Sequence, residues 1–385
     1  MYNSQDRFYL SLKINNVELP LDIITLKSIT LNSNVQFCFP TASIIFADNT
    51  RYFDSLPILD GAVVEISSGT DYTLTNKPTY NFRVFSVKHQ DTGTVVYYTI
   101  ECILNAPKFI NENFKGSYTD TSSNVIKSIA ELSGLTSVVD DTTDNQVWYG
   151  TGTRRCYYAK QITESSYLNT TSCFKLGLTL DAKLKLKNIS AINLANTNNI
   201  FVQGNKLSKD VISVLDKKES TNSGFLNNIA AYKLEGVEQT TDNFTSHTEL
   251  QLPVKSTSVN INTKLNSGLS GSALKTYPVS SGNTHSNFYQ AKYQNLRIAA
   301  TFGNSLFIMF NQESQLDLFD PIKYALFENI NSEVKLNNKL SGGYIITGKA
   351  IYIIAGAYYE KLQITRQGYN LDVISAADKK IIGID

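Results

Sequence analysis

Charge is scarce in this chain of 385 residues: Lys, Arg, Asp and Glu make up 18%, and the formal net charge is +1. Proteins that live on phosphate backbones gather Lys and Arg on one face, so this balance argues against a nucleic-acid binder while leaving room for a local patch. Histidine is scarcer still. His89, His247 and His285 lie far apart, with no second ligand and no Ser or Cys nucleophile at a recognisable spacing, which argues against histidine catalysis. Cys38, Cys102, Cys156 and Cys173 lack the two-residue spacing that ligates zinc or runs redox chemistry, and are read as packed thiols. Gly150-Thr151-Gly152 has neither the strand before it nor the helix after it that a phosphate loop needs. Asp140, Asp141 and Asp144 lack calcium-loop spacing and read as a solvated acidic turn. No local motif nominates a carboxylate pair for glycoside hydrolysis. The expectation is a non-enzyme with no catalytic, cofactor-binding or metal residues. No run of about 18 apolar residues occurs, and no basic segment leads into an apolar core and cleavage site. A chain without a membrane segment is expected, made in a cytoplasm and reaching any outside location within an assembly.

Tyr (22) and Phe (19) are plentiful beside Ser, Thr and Asn, a mixture that suits pleated, half-buried surfaces. The chain reads as mainly β. Alternating apolar residues mark strands at Phe8–Ile14, Ile29–Leu31, Ala42–Phe46, Ala62–Ile66 and Asn81–Lys88, with Asn15-Asn16 as a turn and Asp91-Thr92-Gly93 closing a hairpin. This first β-domain ends near Ala106-Pro107. Val125, Ile126, Ile129, Ala130 and Leu132 follow the Thr121-Ser122-Ser123 cap cluster at helical spacing and stop at Gly134. A second helix is expected over Ser166–Lys175, then a strand or hairpin through Leu178, Leu180, Leu184, Leu186 and Ile189. Lys183, Lys185 and Lys187 alternate with these leucines, as a solvated face or as a stripe toward a charged neighbour or a lumen. The residues from Gly236 to Asn287, rich in Ser, Thr, Asn and Gly, read as loops or an extended β-insertion, after a strand-like run at Asn228–Leu234. The β-pattern resumes at Leu296 and runs to Arg366. The isoleucines of the tail imply docking.

Two stretches about 260 positions apart, Leu56–Ile103 and Leu316–Thr365, spell a similar pattern. Leu56, Ile58, Asp60 and Ile66 match Leu316, Leu318, Asp320 and Leu326; Phe82 and Val84 match Tyr344 and Ile346; Tyr97, Ile100 and Cys102 match Tyr359, Leu362 and Ile364. One β-unit used twice points to assembly rather than catalysis. In this match His89 falls where Ile351 or a neighbour sits. Between the two stretches Trp148 and Tyr149, with Arg154, Arg155, Tyr157 and Tyr158, gather the residue types of interface hot spots. They are the candidate interface residues, the alternative being that Trp148 fills a core.

Three places carry a likeness to a known family. They are the segment Leu56–Ile66; the helix Ser122–Gly134 with Tyr157-Tyr158-Ala159-Lys160-Gln161 through Leu180; and Ser341–Thr347 with Tyr359–Gly368, where a strand ends on arginine and a turn. Here the chain resembles the baseplate hub proteins of contractile phage tails, similar to the hub part of type VI secretion spike proteins and to late-control D proteins. The resemblance implies a mainly β fold with a small α+β insert, and two pseudo-equivalent barrel-like β-domains forming a ring in a homotrimer. Such a trimer carries pseudo-sixfold symmetry and can abut a hexameric tail tube. It would join that tube to a trimeric spike and enclose a channel through which DNA passes without specific binding.

On this reading residues 1–107 form the first ring domain and 108–205 the α+β insert. A crossover with a Ser/Thr/Asn-rich β-insertion covers 206–295, the second ring domain 296–370 and a docking tail 371–385. Tail tube protein, a separate spike protein and other baseplate proteins are the implied partners. The implied place is the virion tail baseplate, assembled in the host cytoplasm. The chain departs from the family in lacking a fused spike or lysozyme domain, and in reading Ala350-Ile351-Tyr352 where relatives often carry histidine. Alternatives are the hub of a non-contractile tail or of a contractile injection or secretion machine, a glycan-binding β-sandwich adhesin, and a cell-wall hydrolase within a tail.

Overall fold

A computed structural model of the chain describes residues 9–21, 25–35, 39–55, 60–69, 77–169, 172–194, 197–204, 211–221, 237–243, 246–252, 277–279, 285, 291, 304–330, 333–354, 356–366, 378 and 382. The first strands, β1 (Tyr9–Ile14) and β2 (Val17–Glu18), meet over Asn15-Asn16, whose φ values of 50° and 66° suit a tight primed turn. After them come β3 (Thr25–Asn34), β4 (Thr41–Asp48), the short helix α1 (Tyr52–Ser55), β5 (Val63–Gly69), β6 (Thr79–Asp91) and β7 (Val96–Leu104). Their hydrogen-bonded order is β2-β1-β5-β6-β7-β4-β3, antiparallel throughout. Alternate residues such as Ile29, Leu31, Ile44, Phe46, Val64 and Phe82 are buried on one face. Burying each contributes roughly 1.5–3 kcal/mol, and a one-residue slip would turn all of them outward.

The segment read as the α+β insert holds α2 (Pro107–Asn111), β8 (Asn113–Asp120), α3 (Ser122–Leu132), β9 (Thr136–Val139), β10 (Gln146–Arg154), α4 (Arg155–Glu164), β11 (Phe174–Leu178) and β12 (Lys183–Asn188). Strands β8 and β10 pair antiparallel; β11, β12 and β9 form a second small sheet in which β12 and β9 run parallel. Helix α3 appears where its periodicity places it, and Gly134, at φ +71°, ends it. Among the described residues no helix covers Ser166–Lys175, where one is expected. Helix α4 precedes it, and Phe174 and Lys175 already belong to β11. Side chains take the amides that a helical ladder would use: Asp144 accepts from the Tyr167 N–H at 2.9 Å, and Ser172 Oγ accepts from Leu168 and Asn169. One continuous apolar core joins the first sheet to α2, α3, α4 and β11–β12.

The remaining strands are β13 (Ile200–Gln203), β14 (Ile212–Ser213), β15 (Asp216–Thr221), β16 (Val237–Asn243), β17 (Ser246–Leu252), β18 (Tyr277–Val279), β19 (Asn304–Phe310), β20 (Pro321–Ile330), β21 (Glu333–Leu336), β22 (Gly342–Ile354) and β23 (Ala357–Arg366). Strands β16–β18 make a separate three-stranded sheet, within the region read as an insertion. The others pair as β14-β13-β20-β22-β23-β19-β15, with β21 on β20. The run Asn228–Leu234 and most of the Ser/Thr/Asn-rich stretch lie outside the described residues. Of the tail, Ile382 packs with Val202, Ala325 and Phe327, and Asp378 pairs with Lys323 at 2.9 Å.

The outer half of β22, Gly348–Ile354, also pairs with Asn34–Ser28 of β3. This junction merges both groups into one fifteen-stranded sheet. The fold is mainly β, as expected, but no closed barrel exists among the described residues. Instead of separate closed barrels, the described strands of both groups form one hydrogen-bonded sheet, joined where β22 pairs with β3.

The two long hairpins share their register. Val84 faces Cys102 and Ile346 faces Ile364; Gln90 faces Tyr97 and Tyr352 faces Tyr359; a bulge follows Val84 in one and Ile346 in the other. The matched loops shift. Gly61 donates to the Val84 carbonyl and Phe319 to that of Ile346, both residues at positive φ, so Gly61 corresponds to Phe319 rather than to Pro321, two further on. The pairing of Asp60 with Asp320 therefore slips by two, which alternation cannot detect because a two-residue slip keeps every side chain on its face.

Candidate functional site

The six nominated residues divide between the interior and the surface of the insert. Trp148 is buried and donates its indole N–H to the Asp120 carbonyl at 2.9 Å. Tyr158 stacks on Phe114, ring centroids 4.5 Å apart, and burial pushes its phenol up to about 12. Arg155 binds the Leu132 carbonyl at 2.8 Å and the Glu112 carboxylate at 2.9 Å, holding the ends of α3 and α2 to the start of α4. Tyr149 (54% exposed), Tyr157 (48%) and Arg154 point outward. The first three build the insert; the last three are free to meet another surface.

Sequence reading missed what Asp144 does. Wholly buried, it accepts the Ser122 N–H at 2.8 Å and the Ser122 hydroxyl at 2.6 Å, closing the first turn of α3. The acidic turn is thus a helix anchor at Asp144, and Asp140 accepts from Lys187 at 2.6 Å. The remaining lysines of the stripe also have partners in the chain: Lys183 meets Asp181 at 2.6 Å, and Lys185 meets Asp317 at 3.1 Å and the Leu318 carbonyl at 3.0 Å. The stripe faces charged neighbours within the chain. Lys183 and Lys185 border a cleft of about 300 Å³ shared with Tyr80, Asp317, Asp320 and Lys349, at the seam between insert and second sheet. At Gly177 an added Cβ would sit 2.7 Å from the Phe319 ring, so glycine permits this close approach.

Cys102, Cys156 and Cys173 are buried free thiols, and burial pushes Cys102 up to about 12. Among the described residues no group of three His, Cys, Asp or Glu side chains can hold a metal ion, and no helix is long and apolar enough to cross a membrane.

The strand edges differ in kind. In the second group the outer half of β22 carries β23 on one edge and β3 on the other. In the first, the outer half of β6, Ser86–Asp91, carries β7 on one edge, and among the described residues no strand occupies the other. Among the described residues strand β15 likewise pairs with β19 alone, whereas β3 lies between β4 and β22. Among the described residues one such edge-to-edge junction is made, and the outer half of β6 and the second edge of β15 carry no partner strand.

No family model and none of the curated proteins matches the chain. Solved structures do. A 43 kDa tail protein of prophage MuSo2 from Shewanella oneidensis superimposes with a TM-score of 0.60 at 7% identity, over 94% of this chain and 98% of that one. A tail protein from Neisseria meningitidis MC58 superimposes with a TM-score of 0.57 at 9% identity, over the same shares. A component of the Escherichia coli type VI secretion system gives a TM-score of 0.47 at 11% identity, over 94% of this chain and 80% of that one. This chain has the fold of the two tail proteins.

Proposed function

We propose that the chain is a structural, non-enzymatic component of a phage-type tail: the baseplate hub, three copies of which close into a ring. The two hairpin groups are read as copies of one unit, since strand order, hairpin register and bulge agree. The observation that carries the proposal is the β3–β22 junction beside the two open edges. Within one chain the first unit joins the second through an edge of β22. The matching edge of the first unit, on β6, and β15, the strand matching β3, have no further partner strand among the described residues. A contact repeated head to tail generates a ring when its rotation closes. Three copies with two units each then offer six near-equivalent positions to a hexameric tube, around a channel that DNA crosses without specific binding.

On this reading the insert, with Tyr149, Arg154 and Tyr157 outward, faces the separate spike or other baseplate proteins, and the assembled virion tail is its place. The test is sedimentation and negative-stain imaging of the purified chain. Three copies around a central opening are expected; a closed dimer, or a monomer at the highest soluble concentration, refutes the ring. A peptidoglycan-clearing assay is expected to show no activity.

A further inference from the structure

Resting on that ring reading, we propose that copies join by antiparallel pairing of β15 from one chain with the outer half of β6 from the next, Lys217 opposite Asp91 and Glu219 opposite His89. The register follows from the junction already present. There Ile29 faces Ile353, Thr30 faces Tyr352 and Leu31 faces Ile351. Strand β15 lies on β19 as β3 lies on β4: Lys217 and Glu219 face Ile308 and Leu306, as Ile29 and Leu31 face Ile44 and Ala42. These partners in turn face Leu362 and Ile364 in one unit, and Ile100 and Cys102 in the other. Along the hairpins, His89 and Asp91 face Tyr98 and Val96, as Ile351 and Ile353 face Glu360 and Tyr358. Putting each residue at its counterpart's place brings the two charge pairs together.

The two junctions then differ in chemistry. The one within the chain buries four aliphatic side chains, none more than 1% exposed. The one between copies sets a cation against an anion at Lys217 and Asp91, and a histidine against a carboxylate at His89 and Glu219. In the single chain Asp91 meets Arg51 at 3.2 Å, and Lys217 meets Glu219 at 3.4 Å and Glu328 at 3.9 Å. These pairs are partly exposed, so exchanging them for partners across the junction is inexpensive. Opposite charges directly across a strand pair favour one register, and like charges oppose it; Lys88 and Lys218 on the same edges discourage unguided strand addition. A permanent apolar seam thus alternates with a reversible ionic one.

Charge reversal tests this with the full chain. Asp91→Lys and Lys217→Asp are each expected to weaken association about tenfold or more at low salt, and the double reversal to recover most of the loss. Association of the unaltered chain is expected to weaken as NaCl approaches 1 M, where the screening length falls to about 3 Å. Single reversals that associate like the unaltered chain overturn the inference, as does a double reversal that recovers nothing. Gln90→Cys with Lys218→Cys, opposite each other in this register, supplies an independent reading, with each single cysteine variant as control. A cross-linked closed trimer supports both ring and junction. A discrete trimer that does not cross-link leaves the ring standing and overturns the junction. A cross-linked ladder running past three copies supports the junction and overturns the ring, and a chain that neither associates nor cross-links overturns both.

Discussion

The hairpins β6–β7 and β22–β23 agree in register and bulge, yet differ in what they bury at matching places. Where the first has Val87, Tyr98 and Leu104, the second has Lys349, Glu360 and Arg366. Glu360 is wholly buried and accepts the Ser314 N–H at 3.1 Å, the Ser314 hydroxyl at 2.5 Å and the Tyr358 hydroxyl at 2.7 Å. Lys349 lies 3.5 Å from that carboxylate and donates to the carbonyls of Ser314 and Leu316 at 3.0 and 2.9 Å. Arg366, also wholly buried, donates to the carbonyls of Ser341 and Lys339 and lies 4.6 Å from the Tyr344 ring centre. One backbone plan thus serves an apolar interior and a polar one. The polar version holds the loop from Ser314 to Asp320, which also carries Asp317 and the Leu318 carbonyl, the partners of Lys185.

The comparison breaks most visibly at Lys349. Lys349→Ala leaves Glu360 buried without its cation, and removing one partner of a buried pair costs about 3–5 kcal/mol. Urea unfolding is expected to show that loss, while the double replacement Lys349→Met with Glu360→Leu is expected to recover much of it. Val87→Ala, the matching change in the first unit, is expected to cost far less because Val87 is only half-buried. Next in size is Ile351→Ala. It opens a cavity at the completed junction and is expected to lower stability by about 2–5 kcal/mol. His89→Ala, at the exposed counterpart, is expected to change single-chain stability by less than about 0.5 kcal/mol, as the same unfolding measurement would show.

Why these differences escaped a reading of the sequence depends on distance along the chain. Local signals held. Asn15-Asn16 turned the chain, Asp91-Thr92-Gly93 closed its hairpin, and α3 began at Ser122 and stopped before Gly134, though Asp144 and Thr142 rather than Thr121 take the amides of its first turn. The match of Phe82, Val84, Ile100 and Cys102 with Tyr344, Ile346, Leu362 and Ile364 is in register because each pair faces its hairpin partner in the same way. Helix α4 was legible, since Cys156, Ala159, Ile162 and Thr163 recur at helical spacing and are buried; the neighbouring Arg and Tyr residues drew the reading toward an interface instead. The pairing of β3 with β22 spans more than 300 residues, and no local pattern encodes a partner that far away. At β15 the signal lay in a contrast: Lys217 and Glu219 stand where β3 has Ile29 and Leu31, a substitution visible only once the units are aligned through their partners.

The smallest effects set Asp48 of the first unit against Asp320 at the corresponding loop region of the second. Burial pushes the Asp48 carboxyl upward, but N–H donors from Phe53, Tyr52 and Thr50 and the Thr50 hydroxyl outweigh it and hold the group below the usual carboxylate range. Burial prevails at Asp320: despite the Asp317 N–H and the nearby Lys185, its carboxyl titrates above that range. A depressed carboxyl stabilises the fold above its unfolded value, near 3.9, and loses that contribution as pH falls through its folded value; a raised one burdens the fold when ionised and is relieved on protonation. Asp48→Asn is therefore expected to cost about 1.5–3 kcal/mol at pH 7, in line with hydrogen bonds to a charged group, with the loss shrinking as the pH is lowered through 4. Asp320→Asn is expected to cost less at pH 7 than Asp48→Asn, offset by removal of a buried charge, and its effect relative to the unaltered chain is expected to turn more unfavourable as acid protonates Asp320. Urea unfolding of both variants between pH 3 and pH 7 decides the matter: parallel pH profiles would show that the two loops hold their carboxylates in the same way, and opposite slopes would show that the units differ in electrostatics as they differ in what they bury.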